Sequence, residues 1–170
     1  MDDRRSTIDD LNRTDRAGFL QAVGWVYEGS PWVAERAWDL RPFASLDALH
    51  DAMMSTVAGA TMAEQLDLLR AHPDLGAGVA MTEASKREQA GVGLDTLARD
   101  DVDRLQALNK AYREKFGFPF LYAVKGGTKQ DVLNALERRL TSARDAEHKE
   151  ALRQVYRIAR FRLEEVVRQP

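Results

Sequence analysis

The chain has no cysteine in its 170 residues. That excludes disulfides, thiolate zinc sites and a cysteine nucleophile, and it fits a reducing compartment. It also lacks any apolar run near the roughly 20 residues that span a bilayer. Its start, Met1-Asp2-Asp3-Arg4-Arg5, carries no signal-peptide core, so the expectation is a cytoplasmic protein away from membranes. A charge excess is missing as well: the net charge of −2 argues against a general nucleic-acid binder. HExxH, GxSxG, EF-hand and phosphate-loop patterns are absent, and the glycines are scattered rather than clustered in a cradle. No internal repeat, low-complexity tract or interdomain linker interrupts the chain.

What is present is a helical apolar period almost throughout. The reading is all-α, one domain over residues 14–170 with about eight helices, preceded by a loose polar segment over 1–13. Phe19, Leu20, Val23, Val26 and Tyr27 predict a helix from Asp15 to about Glu28. Ser30-Pro31 predicts a start for the next, with Ser30 as cap and Pro31 in the first turn, running to about Leu40. Ser45 caps a third, and Thr61 with Glu64 forms a capping-box pattern for a fourth that ends near Pro73. Gly76 and Gly78 make a loop before a short helix over about 82–90. Asp100 or Asp101 caps a longer helix that Gly117 ends. Phe118 to Val124 reads as extended around Pro119. Thr128 to about Leu140 and Asp145 to about Val167 are the last two helices.

Helical phase then selects polar residues on apolar faces. In the last helix Arg162 projects with Ala151 and Val155, whereas Arg153, Arg157, Arg160 and Arg168 project oppositely. An inward guanidinium needs a protein carboxylate or an anionic ligand. Glu88 shares a face with Met81, Ser85 and Val92, which makes it either an ordinary interhelix ion pair or part of a polar cluster with Ser85 and Gln89. Arg162 is a candidate partner for it. His72, held at the end of its helix by Pro73, is either a proton carrier titrating near neutrality or a histidine on the carbonyl dipoles of that terminus. His50 competes with it on the stripe of Leu46, Met53 and Val57, and His148 reads as solvated. The run Phe116, Phe118, Phe120 and Tyr122 is either a core-plugging loop or an extended segment whose amides meet a ligand.

Several segments, in order and at compatible spacing, carry a resemblance from about Leu11 to Val167. They are Ser30-Pro31-Trp32-Val33-Ala34-Glu35-Arg36-Ala37, Arg41-Pro42-Phe43, His72-Pro73-Asp74-Leu75, Ser85-Lys86-Arg87-Glu88-Gln89-Ala90-Gly91, Phe116-Gly117-Phe118-Pro119-Phe120 and Ile158-Ala159-Arg160-Phe161-Arg162-Leu163. The chain resembles the 2-oxo-4-hydroxy-4-carboxy-5-ureidoimidazoline (OHCU) decarboxylases of urate breakdown. The resemblance implies an all-α homodimer with no metal and no organic cofactor, acting on a small ureidoimidazoline carboxylate to give (S)-allantoin. It implies His72 as acid/base with Glu88 and Arg162 as companions. Pro73, Ser85, Gln89 and the backbone of Phe120, Leu121, Tyr122, Ala123 and Val124 would hold the ligand. Two departures stand out: a shorter loop between His72 and Glu88, and Glu28-Gly29 where relatives carry an asparagine-containing pattern. The competing reading is a helical ligand-binding or regulatory module with the same inward polar cluster and no turnover.

Overall fold

Side-chain caps set most of the helix starts. A computed structural model describes residues 5–76 and 82–169. Gly78, expected in a loop, and Met81, expected on the face of Glu88, lie outside the described residues. Among those described are nine α-helices: α1 (Ile8–Arg13), α2 (Arg16–Val23), α3 (Trp32–Trp38), α4 (Leu46–Ala58), α5 (Met62–Arg70), α6 (Glu83–Ala90), α7 (Arg99–Phe116), α8 (Lys129–Arg139) and α9 (Arg144–Val166). The one β feature among them is an isolated bridge between Ser6 and Val167.

Thr61 and Glu64 form the reciprocal box expected of them at the start of α5, and Ser45 caps α4 through the Ala48 amide. Thr82 caps α6, and Thr128 with Asp131 boxes α8. Four expectations about helix bounds and caps need correction. Residues 8–13 are not loose: Thr7 and Asp10 box α1, and Leu11 is buried. A polar hexapeptide gives little periodic signal, yet one buried leucine and a good cap suffice. The helix from Asp15 stops at Val23 rather than near Glu28, although Val26 and Tyr27 beyond it remain buried. Ser30 does not cap α3, whose N-cap is Pro31 with no side-chain bond. Neither Asp100 nor Asp101 caps α7. Ala98 occupies that position, and both aspartates sit inside the first turn, where their charge meets the positive end of the helix dipole.

The helices group into two compact units. One holds α1 to α5 and the end of α9 from Tyr156 onward. Here α2 packs on α3 and α3 on α4. Phe19 lies 5.5 Å from Trp38 and 6.1 Å from Phe43, ring centroid to centroid. Asn12 grips Phe43 from both sides, its amide donating to the Phe43 carbonyl at 2.9 Å and its oxygen accepting the Phe43 amide at 2.8 Å. His50 donates from Nε2 to the Tyr156 carbonyl at 2.9 Å, tying α4 to α9.

The other unit runs from His72 to Val155. There α7 packs on α8 over Leu105, Tyr112, Val132, Leu133 and Leu136, all buried. Gly117, at φ 80°, stops α7 in the left-handed conformation that glycine takes without a Cβ penalty. The chain from Phe118 to Val124 then runs without regular structure into the turn before α8. His148 is half-buried rather than solvated, its ring 6.2 Å from Phe118, and burial lowers its pKa.

The Thr61–Glu64 cap carries a pH signature. The Arg36 guanidinium first, and the Thr61 backbone amide next, hold the Glu64 carboxyl at about 2, below its ordinary 4.5. A carboxyl depressed on folding stabilises the protein while it is ionised and loses that contribution as pH falls through the folded value. Glu64→Gln should therefore lower Tm most above about pH 5, and the gap to the unsubstituted protein should close as pH approaches about 2. Thermal melts across that range check it, and a gap that widens on acidification would contradict the assignment.

Candidate active site

His72 follows α5 and is itself 6% exposed, so its ring is inside the protein rather than at a solvated helix end. Pro73 cannot donate a backbone hydrogen bond, and the chain leaves the helix there. The next three residues are then pinned one by one. Arg113 of α7 pairs with Asp74 at 2.8 Å. Asn109 of α7 donates to the Leu75 carbonyl at 3.0 Å. Gln89 of α6 accepts the Gly76 amide at 2.7 Å. Gly76 takes φ 75°, a conformation L side chains rarely adopt, and a Cβ there would crowd Leu105 Cδ2 at 2.7 Å, so glycine suits the position. The histidine is thus set by a stretch of backbone whose freedom α6 and α7 remove.

On α6, Ser85 and Gln89 are buried and Glu88 is half-buried. The face predicted for this helix is the one turned inward. Gln89 gives its carbonyl oxygen to Gly76, which leaves its amide nitrogen as the group able to meet a ligand. Pro73 is half-buried beside His72. Phe120, Leu121, Ala123 and Val124 are buried, and Tyr122 is half-buried. The aromatic run is a core cluster in its own right. Tyr112 lies 5.3 Å from Phe120 and 5.9 Å from Phe118, edge to face, the arrangement aromatic quadrupoles prefer. Its backbone is only partly open to a ligand, since Leu121 O and Ala123 N are bonded within the protein.

Arg162 is 1% exposed, in the direction its helical phase requires. Its Nη1 bonds the Glu28 carboxylate at 2.8 Å and approaches the Val26 carbonyl at 3.4 Å. Its Cζ lies 5.8 Å from the Trp25 ring centroid. Glu28 is 4% exposed, so this is a buried ion pair within the first unit. Glu28 supplies the carboxylate that the inward guanidinium demands. Burial of Arg162 does not by itself call for an anionic ligand. By contrast Arg160, part-exposed on the other side of α9, pairs with Asp47 and with Glu164 at 2.8 Å.

Sequence reasoning missed Asn109, Arg139, Glu147 and Gln154, all buried. Each falls on the apolar stripe of its helix: Asn109 between Leu105 and Tyr112, Arg139 one turn after Leu136, Glu147 one turn before Ala151, Gln154 beside Val155. Helical phase, which places Arg162 inward, places these four inward as well. No group of three or more histidine, aspartate or glutamate side chains able to hold a metal occurs among the described residues.

A compact helical unit that buries a histidine, a serine and a glutamine has the constitution of an acid–base site for a small polar molecule. Residues 12–164 match the family model described as OHCU decarboxylase. A 2-oxo-4-hydroxy-4-carboxy-5-ureidoimidazoline decarboxylase of Halalkalicoccus jeotgali is 49% identical over 162 residues, which is 95% of this chain and 92% of that protein. The crystal structure of (S)-allantoin synthase superimposes with a TM-score of 0.79 at 32% identity, over 95% of this chain and 54% of that one, so this chain spans about half its length. An OHCU decarboxylase crystallised in the presence of (S)-allantoin gives a TM-score of 0.68 over 81% of this chain and 92% of that chain, at 22% identity a likeness of fold. The chain belongs to the OHCU decarboxylase family.

Breaking a buried ion pair by deleting one member strands the other charge, at a cost of about 3–5 kcal/mol. Glu28→Ala should destabilise the protein by that order in chemical denaturation. Asp47→Ala, which removes an exposed partner of Arg160, should change stability by less than about 1 kcal/mol. Equal effects of the two substitutions would show that the Glu28–Arg162 pair is not the buried interaction described.

Proposed function

We propose that this chain decarboxylates 2-oxo-4-hydroxy-4-carboxy-5-ureidoimidazoline to (S)-allantoin through His72, Glu88 and Arg162. The observation that carries the reading is family membership over nearly the whole chain, joined to a buried His72 on a backbone held by Asn109, Arg113 and Gln89. It is a decarboxylating lyase of urate degradation.

The substrate carboxylate sits on a ring carbon that bears a hydroxyl and neighbours a C=N group. When the carbon–carbon bond breaks, its electron pair enters a new ring double bond and the ring nitrogen takes up a proton. Carbon dioxide leaves. The hydroxyl, now enolic, gives up its proton as the C=O forms, and the neighbouring carbon that bears the ureido group receives one. One external proton is consumed in all. The electron sink lies in the substrate, so neither a pyridoxal nor a thiamine cofactor has work to do.

His72 suits the second half of this sequence: it takes the hydroxyl proton and returns one to carbon on a single face, which sets the product's handedness. Glu88 orients the imidazole or a ureido nitrogen. Arg162 binds an anionic oxygen. Pro73, Ser85, the Gln89 amide nitrogen and the backbone of Phe120 to Val124 hold the ring and its ureido arm. The same reading makes the enzyme a cytoplasmic homodimer. No described helix is long and apolar enough to cross a membrane.

The test generates the substrate freshly by urate oxidation and follows it by ultraviolet absorbance and circular dichroism. The protein should accelerate its decay and yield one enantiomer, (S)-allantoin, in place of a racemate. Binding of the intermediate without acceleration would instead select the non-enzymatic module. His72→Gln should lose at least about a hundredfold in kcat, the scale of general acid–base catalysis. His50→Gln, which removes only the bond to Tyr156, should keep turnover and lose stability. The reverse pattern would overturn the assignment of the proton carrier. Prolonged dialysis against a strong chelator should leave the rate unchanged; restoration of a lost rate by one added divalent metal would recast the chemistry.

A further inference from the structure

The segment from Phe120 to Val124 is held along one edge by a buried polar assembly drawn from α7, α8 and α9. Arg139, at the end of α8, donates from Nη1 to the Leu121 carbonyl at 2.6 Å. Its Nε donates to Glu147 Oε1 at 2.7 Å, and its Nη2 lies 2.5 Å from the same oxygen. The guanidinium also sits over the Phe120 ring, 4.5 Å from the centroid. Tyr112 donates its hydroxyl to Glu147. Burial, together with that carboxylate, pushes the Tyr112 phenol well above its ordinary range, so it remains a neutral donor. Two residues along from Leu121, the Ala123 amide donates to Gln154 Oε1 at 3.0 Å, and Gln154 Nε2 donates to Glu150 at 2.8 Å. Arg139, Glu147 and Gln154 are each no more than 6% exposed.

In an extended chain the N–H and C=O of one residue point to the same edge, and the next residue points to the other. Leu121 and Ala123, two apart, both meet protein partners, which is that alternation. The amides of Tyr122 and Val124 belong to the opposite edge, and they form no hydrogen bond among the described residues. Buried or half-buried amides of that kind are costly unless something accepts from them. An oxygen-rich planar ligand, such as a ureido group or a ring carbonyl, is the matching chemistry.

We propose that Arg139, Glu147 and Gln154 are positioning residues, which tie the Leu121–Ala123 edge to α8 and α9 so that the Tyr122 and Val124 amides face the ligand. Arg139 is the keystone, because a single guanidinium spans Glu147 and the Leu121 carbonyl in a fixed plane. Glu147 holds that plane, and Tyr112 holds Glu147. None of these side chains need touch the substrate. The inference rests on the reading that this segment binds substrate.

Amide-resolved NMR on the unsubstituted protein tests it with (S)-allantoin as the probe. The Ala123 amide should be protected from hydrogen exchange before ligand is added and should shift little on titration. The Tyr122 and Val124 amides should shift and become protected as ligand binds. Rapid Ala123 exchange in the free protein, or ligand responses equal at Ala123 and Tyr122, would overturn the clamp. Normal turnover with no response anywhere in residues 120–124 would instead overturn the reading of the segment as a binding element, and the proposal with it. Kinetics give a second arm. Gln154→Leu should raise KM roughly tenfold, the scale of one misplaced hydrogen bond, with the pH profile of kcat unmoved. The exchange of polarity in Gln154→Glu with Glu150→Gln restores an acceptor for Ala123 and should bring KM back. A folded Gln154→Leu protein with a lowered Tm and an unchanged KM would reduce Gln154 to a purely structural residue and overturn its assignment.

Discussion

A guanidinium taken into an apolar interior must arrive with its carboxylate, and in this protein that requirement is met once in each compact unit. In the first, Arg162 meets Glu28 at 2.8 Å, both nearly inaccessible. In the second, Arg139 meets Glu147 through Nε at 2.7 Å, again with both inside. Neither pair is an efficient source of stability, since desolvation offsets most of the attraction. Their value is directional. Once a carboxylate fixes part of a guanidinium, its remaining N–H groups are aimed, and the plane cannot turn without breaking the pair. At Arg139 the aimed group reaches a backbone carbonyl. A chain without cysteines gains from charge pairing the kind of rigidity that a covalent staple provides elsewhere.

The same logic of removing freedom operates around His72, where one ion pair, Asp74 with Arg113, is joined by two hydrogen bonds to the backbone. The residues after it are held at a side chain, a carbonyl and an amide, by Arg113, Asn109 and Gln89 respectively. Arg113 and Asn109 come from α7, whose apolar stripe is committed to the core of that unit, and Gln89 comes from the inward polar face of α6, so the geometry of the loop follows those two helices. Sites carried on loops become precise when rigid elements hold the loop at successive atoms. Gly76 completes this arrangement, because the chain turns there through the left-handed region that glycine enters without a Cβ penalty.

How much of this was legible in the sequence depends on the range of each signal. Caps are local, so Ser45 and Thr61 with Glu64 could be located from a few neighbouring residues. Phase is local to one helix, so Arg162 could be placed inward from α9 alone. Its partner could not. Glu28 lies past the end of α2, in a stretch whose apolar spacing reads as a continuation of that helix, and nothing within ten residues of it reports that α9 will be its neighbour. The cap of α7 misled because aspartates serve equally at an N-cap and inside a first turn, and only backbone geometry separates the two. Leu11 escaped because α1 is too short for a period to show. Arg139, Glu147 and Gln154 are a different case: the phase signal was present, but a charged residue beside other charged residues, as in Glu147-His148-Lys149-Glu150, reads by composition as a solvated face.

Glu28 also bears on the role proposed for Arg162 in the decarboxylation. The substrate begins with a full negative charge localised on a carboxylate, and that charge disperses into the ring as carbon dioxide forms. A bare guanidinium gripping the departing carboxylate would stabilise the ground state more than the transition state, and tighter binding of that kind does not raise kcat. Paired with Glu28, the Arg162 side chain presents the field of a neutralised, oriented dipole, weaker at long range and strongest along its fixed N–H directions. Such a group discriminates by where the charge is rather than by how much there is. In the proposed sequence the oxygen that carries charge once carbon dioxide has left is the enolic one that becomes the ring carbonyl, and that is where the role proposed for Arg162 contributes to rate. The buried carboxylate that makes an inward arginine tolerable to the fold also keeps it, in the role proposed for it, from over-stabilising the carboxylate of the ground state.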